Sequence, residues 1–152
     1  MVIAGPGCDT DYGKILLKIA SEDEDLKSRV HFTGMLSGSS KWGAFYNAEA
    51  FILPSHQENF GIAIVEALAC GKPVLISDKV NIWREIEKEH AGFVENDDLI
   101  GTTNLLSKWS KLTSEERKLK SKYAKTIFLK HFSIDPAAKR LKDTINKAIE
   151  YV

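Results

Sequence analysis

Between Phe51 and Ser77 the chain runs through an apolar strand, a polar loop, a helix opened by glycine and a second apolar strand. No other stretch narrows the choice of fold as much. Phe51–Leu53 reads as a strand buried on both faces. Gly61 opens a helix that closes at Cys70 and Gly71, and Pro73 leads into the strand Val74–Ser77. Glu58 stands just before the helix and Glu66 inside it, with Asn59, Phe60, Gly61, Ile62, Ala63, Ile64 and Val65 between them. A helix start presents N–H groups without helical acceptors and the positive end of a dipole, which together make an anion site. Gly61 lets a ligand come close to the backbone. Two carboxylates on either side of such a site suit hydroxyl groups that flank a phosphate. A diphosphate with ribose hydroxyls at one end and hexose hydroxyls at the other has that form.

The rest of the chain keeps the alternation. Met1–Ala4 reads as a strand, Tyr12–Ala20 as an amphipathic helix with Ile15, Leu16 and Ile19 on one face, and Val30–Thr33 as a strand. Ser39 or Ser40 is the expected cap of a helix through Trp42, Phe45 and Tyr46, and Asn81 of a short helix through Trp83 and Ile86. Gly92–Val94 reads as the last strand. Helices follow: one with Leu105, Leu106 and Trp109 on its apolar face, one starting at Ser114, and one with Asp135 as cap and Pro136 in first position. Strands alternating with helices imply α/β architecture, a doubly wound parallel sheet with helices on both faces. At 152 residues, 43% hydrophobic and 28% charged, the chain suits one globular domain. No run is long enough to span a membrane and no signal segment is visible, so the expected setting is cytoplasmic or peripheral to a membrane.

The stretch from Pro54 to Val74 resembles the E-x7-E donor-site motif of retaining glycosyltransferases of family 4, which have the GT-B fold. Val2-Ile3-Ala4-Gly5-Pro6-Gly7 looks like that family's second strand and glycine loop. Val30–Gly34 looks like its third strand, and Phe132-Ser133 with the closing helix like its C-terminal tail. Asn59 stands where the family usually has glycine. The resemblance implies a Rossmann-like donor-binding domain of a hexosyltransferase. It also implies an upstream strand bearing an Arg and a Lys for the diphosphate, and a separate N-terminal domain for the acceptor. The sequence shows neither, so residues 1–152 read as the donor half of a two-domain enzyme without its first strand, inactive or weakly active alone.

By the same resemblance, Glu58 is the catalytic carboxylate, binding hexose hydroxyls and stabilising positive charge on the sugar. Glu66 accepts from the ribose hydroxyls. Asn59, Phe60 and Gly61 offer backbone N–H groups, Val65 packs on ribose or base, Gly5 and Gly7 line the crevice, and Met35 and Leu36 lie by the base. Each has a plainer reading: Glu58 as a loop acid, Glu66 as a solvent-facing helix residue, Phe60 and Val65 as core anchors, Met35 and Leu36 as packed loop residues. The expected donor is a UDP-sugar such as UDP-glucose, with a GDP-sugar second, and the acceptor a saccharide or lipid-linked sugar in polysaccharide biosynthesis. No cofactor is expected. A non-catalytic nucleotide-sugar-binding or interaction domain is the alternative.

Other chemistries fit poorly. Gly5 and Gly7 begin a dinucleotide fingerprint, but Thr10 stands at its third glycine. The four histidines lack ligand spacing, so no metal is expected, and His56 reads as a hydrogen-bonded structural residue. Cys8 and Cys70 read as reduced and packed. Residues 1–100 hold nine Lys and Arg against sixteen Asp and Glu, whereas 101–152 hold twelve against five. That basic third could meet a membrane surface, although a solvated helix face is the preferred reading. Nucleic acid is not expected, because aromatic and basic residues do not interleave.

Overall fold

The computed structural model describes residues 1–150 and divides into two compact units, Met1–Ala44 and the chain from Phe45 onward. In the first unit β1 (Val2–Ala4) pairs in parallel with β2 (His31–Gly34), with a register shift between Ile3 and Ala4. Between these strands run α1 (Asp11–Glu22) and the short α2 (Glu24–Lys27). The helix α1 starts one residue before the periodicity suggests because Thr10 caps it, its hydroxyl accepting from the Gly13 amide at 3.0 Å. Asp23 caps α2 by accepting from the amides of Asp25 and Leu26. The helix α3 (Gly38–Asn47) begins at Gly38, so Ser39 and Ser40 lie inside its first turn and not at its cap.

The second unit holds the core. Its sheet is parallel throughout, in the order β3 (Phe51–Leu53), β4 (Val74–Ser77), β5 (Gly92–Glu95). All four residues of β4 are buried, as a central strand requires. By contrast β3 is only half-buried, against the expectation from its sequence, because it lies at the edge of this sheet. Around the sheet lie α4 (Ile62–Ala69), α5 (Trp83–Lys88), α6 (Leu99–Ser110) and α7 (Ser114–Ile127). Ile64, Ala67 and Leu68 of α4 join Val74, Ile76, Val80, Ile86, Ala124 and Ile127 in one fully buried cluster.

Thr113 and Glu116 form a reciprocal capping box at the start of α7. That helix passes into a π-turn, Phe128–Phe132, and then α8 (Ile134–Glu150). The last helix begins at Ile134, so Asp135 and Pro136 lie within its first turn. Proline is tolerated there because its missing N–H would have had no helical acceptor. None of these helices is long and apolar enough to cross a membrane. Much of the positive charge of α7 is fastened to the fold. Arg117 pairs with Glu49 at 2.6 Å, Lys125 donates to the Ala69 carbonyl at 2.7 Å, and Lys120 donates to the His90 and Gly92 carbonyls. Burial pushes the Lys120 ammonium below its ordinary pKa.

Candidate functional site

The loop from Pro54 to Gly61 joins the C-terminal end of β3 to α4, where open α/β sheets place their ligands. Three ties hold it. Buried Ser77, at the end of β4, donates its hydroxyl to the Ser55 carbonyl. His56 Nδ1 lies 2.9 Å from Asp97 Oδ2, just beyond β5. Glu58 forms a parallel bridge with Val80: its amide donates to the Lys79 carbonyl at 3.2 Å and its carbonyl accepts from Asn81 N–H at 3.1 Å. Asn81 is not the cap of α5, which begins at Trp83. Its backbone serves the bridge, and Ile82 precedes the helix without a side-chain cap.

The side chain of Glu58 turns back on the helix start. Its Oε1 accepts from the Gly61 amide at 3.2 Å. Gly61 adopts φ 72° and ψ 62°, the left-handed region, and provides no side chain to cap α4. A β-carbon there would come within 2.7 Å of Ile64 Cδ1 and 3.4 Å of Glu58 Cγ. The first amides of α4 thus lack helical acceptors and lack a side-chain cap, which is the arrangement that receives an anion. Asn59 and Phe60 are exposed beside them, and Val65 is half-buried against the core. Glu66 is half-buried one helical turn beyond exposed Ile62. These two share the face opposite Ile64, Ala67 and Leu68.

Electrostatics around the loop are mixed. The His56 imidazole, hydrogen-bonded to Asp97, holds that carboxyl below its usual range, and Lys79 lies 4.0 Å from its other oxygen. Asp78, hydrogen-bonded to the Lys79 ammonium, raises the pKa of that lysine. Among the described residues no cluster of three His, Cys, Asp or Glu side chains could hold a metal ion.

The remaining predicted site residues belong to the first unit. Gly5 and Gly7 form a turn after β1, with φ 156° and 104°. Gly5 donates to the Gly34 carbonyl at 2.9 Å, and Gly7 accepts from the Thr10 hydroxyl at 2.6 Å. Met35 is 68% exposed and Leu36 half-buried, both just past β2. Gly13 is the residue that sequence reading passed over. A β-carbon on it would sit 2.0 Å from the Gly7 carbonyl oxygen, so α1 approaches the turn closely only because position 13 is glycine. Thr10 fills the third place of the dinucleotide pattern as a helix cap, and close packing is supplied one turn later.

Known proteins resemble this chain. The family described as glycosyl transferases group 1 matches residues 1–126. An uncharacterized glycosyltransferase of Methanocaldococcus jannaschii is 32% identical over 114 residues, 72% of this chain and 28% of its own length. An O-antigen chain mannosyltransferase of Salmonella typhimurium is 34% identical over 89 residues, 59% of this chain and 25% of its own. The chain therefore spans about a quarter of the length of these curated relatives. Among solved structures, Anabaena HepE in complex with UDP-glucose superposes with a TM-score of 0.77 over 96% of this chain and 40% of that one, at 21% identity. Sucrose-phosphate synthase from Thermosynechococcus elongatus gives 0.73 over 99% and 39%, at 18% identity. At these identities the structures speak for the fold, a Rossmann-like α/β architecture of the GT-B kind. The match over residues 1–126 speaks for the lineage, and this chain belongs to the glycosyl transferases group 1 family.

Proposed function

We propose that this chain is the donor-binding part of a retaining hexosyltransferase of the family 4 type, and that Glu58 and Glu66 are the paired acids of its E-x7-E motif. The observation that carries this reading is the start of α4. An uncapped, left-handed Gly61 opens the helix, Glu58 is pinned beside it at both its amide and its carbonyl, and Glu66 follows one turn inside. In this reading the first amides of α4 and the exposed backbone of Asn59 and Phe60 receive the diphosphate. Glu66 accepts from the ribose hydroxyls, and Val65 packs beneath. Gly5, Gly7, Met35 and Leu36 of the first unit are the residues that the resemblance assigns to the nucleotide.

During transfer the bond between the anomeric carbon and the phosphate oxygen breaks, and the acceptor oxygen bonds to the same face of the sugar. The acceptor proton passes to the leaving phosphate. Charge developing on that phosphate is stabilised by oriented N–H groups, which need no reorganisation as the reaction proceeds. Glu58 faces the positive charge on the sugar. Its carboxylate is already aimed by the Gly61 amide, so orientation is fixed before the donor arrives. The acceptor is a saccharide or lipid-linked sugar.

UDP-glucose is the first donor to test and GDP-mannose the second. The fold neighbour bound to UDP-glucose supports the former, and the mannosyltransferase relative keeps the latter in view. A thermal-shift panel with UDP, GDP, ADP, their sugar conjugates and NAD separates these. Ligand at about 100 times its dissociation constant adds roughly 2.7 kcal/mol. The expected result is a shift with one diphosphate family that Glu66→Ala abolishes. A shift with NAD alone, or one that persists in Glu66→Ala, contradicts the reading.

A further inference from the structure

The π-turn Phe128–Phe132 sits where a continuous α-helix would have served the core differently. Ala124 and Ile127 of α7 are fully buried. At α-helical spacing the next inward residue after them is His131. The turn inserts one residue, closed by the Ser133 amide donating to the Phe128 carbonyl at 2.9 Å. With that extra residue Phe132, like Phe128, packs against the buried cluster. His131 turns toward Glu89, its Nε2 3.4 Å from Oε1, where Lys130 is bound too. Arg140 of α8 donates to the His131 carbonyl at 2.8 Å, and the Ser133 hydroxyl donates to the Leu129 carbonyl at 2.8 Å. The turn is thus fastened from α5 and α8 at once.

What this presents is the ring of Phe132, edge-on to Phe60, with centroids 6.0 Å apart and planes at 77°. Phe60 is 48% exposed and stands between Asn59 and Gly61. The loop's ties to β4, to Asp97 and to Val80 are made at Ser55, His56 and Glu58, before Phe60, and the Gly61 amide after it donates only to Glu58 within the loop. We propose that Phe132 is a positioning residue for the donor loop: through Phe60 it fixes the backbone of Asn59 and Phe60, and so their amides, which meet the diphosphate. This rests on the donor-site reading above. It assigns a role to the π-turn, since the inserted residue is what brings an aromatic ring to this place.

The test combines Phe132→Leu and Phe60→Leu, singly and together, with two readouts. Without ligand, amide hydrogen exchange at Asn59 and Phe60 is expected to quicken roughly three- to tenfold in each variant, the scale of one aromatic pair. Exchange in β4, at Leu75 and Ile76, is expected to stay unchanged. Titrated with UDP-glucose and GDP-mannose, each single variant raises the dissociation constant by a similar factor, and the double variant is no worse than either, because both remove the same contact. Phe60→Leu alters an exposed side chain and keeps the test available if Phe132→Leu disturbs the core. Exchange that quickens equally in the loop and in β4 reports a general loss of stability and overturns the proposal. So does a quickened loop with unchanged affinity. If the unaltered chain binds neither donor, the donor-site reading falls and this role falls with it, while the exchange data still report whether Phe132 holds the loop.

Discussion

At position 61 the backbone turns left-handed, with φ at 72°, where a β-carbon would also strike Ile64 Cδ1 at 2.7 Å. Both facts oppose any other residue. Gly61→Ala is expected to cost about 1–2 kcal/mol from backbone conformation alone, read as a lowered denaturation midpoint with an unchanged slope. Binding of a nucleotide sugar should weaken as well, because the added β-carbon, 2.7 Å from Ile64 Cδ1, shifts the backbone at the start of α4. Gly13 behaves differently. Its backbone is ordinary, but a β-carbon would overlap the Gly7 carbonyl oxygen at 2.0 Å. Gly13→Ala is expected to displace the turn Gly5–Gly7 from α1, seen as shifted amide resonances at both glycines. The same two glycines mark what a sequence yields at this scale. Gly61 was legible because it stood between a carboxylate and an apolar helix. Gly13 was not, because its reason is a contact with a carbonyl six residues earlier that no local pattern announces.

At the scale of elements, punctuation decided what could be read. Gly71 and Pro73 bracket the passage from α4 to β4, and both elements begin and end near where these residues place them. Caps fared worse where tertiary contacts claimed the backbone. Asn81 would cap α5 in isolation, yet its backbone joins the bridge to Glu58 and the helix begins only at Trp83, with Ile82 at the cap position. The π-turn was invisible because no local pattern announces its extra residue, whose ring contact is with Phe60, far away in sequence. The pair of Lys130 and His131 with Glu89 ties this turn to the end of α5. Lys130, hydrogen-bonded to Glu89 and joined by His131, holds that carboxyl below its usual pKa. The sign follows from linkage. A carboxyl depressed in the folded state stabilises the fold above its unfolded value, about 4.3, and that contribution is lost as pH falls through the lower folded value. Glu89→Gln should therefore melt lower than the unaltered chain at neutral pH. The gap should close below about pH 4.3. A gap that is constant across pH would remove the ion pair from the account.

For the whole molecule, the distribution of buried residues sets the expectation. Every fully buried apolar side chain among the described residues lies from Phe45 onward, whereas in residues 1–44 only Gly13 is buried. Two paired strands with a helix hold little on their own in water. A protein of residues 45–152 is expected to melt cooperatively near the temperature of the full chain. A protein of residues 1–44 is expected to give no cooperative transition by circular dichroism. The alternation of strand and helix was enough to foresee parallel α/β architecture. The division of its strands into a sheet of two and a sheet of three was not, since pairing partners are chosen by contacts distant in sequence.

The central claim is that the start of α4 receives the donor diphosphate between Glu58 and Glu66. Amide resonances followed by nitrogen–proton correlation spectroscopy during titration with UDP and with GDP test it most directly. The account expects the largest changes at Asn59, Phe60, Gly61, Ile62 and Ala63 with one of the two nucleotides, and expects them to vanish in Glu66→Ala. Large changes confined to α7 and α8, with those five amides unmoved, would contradict it.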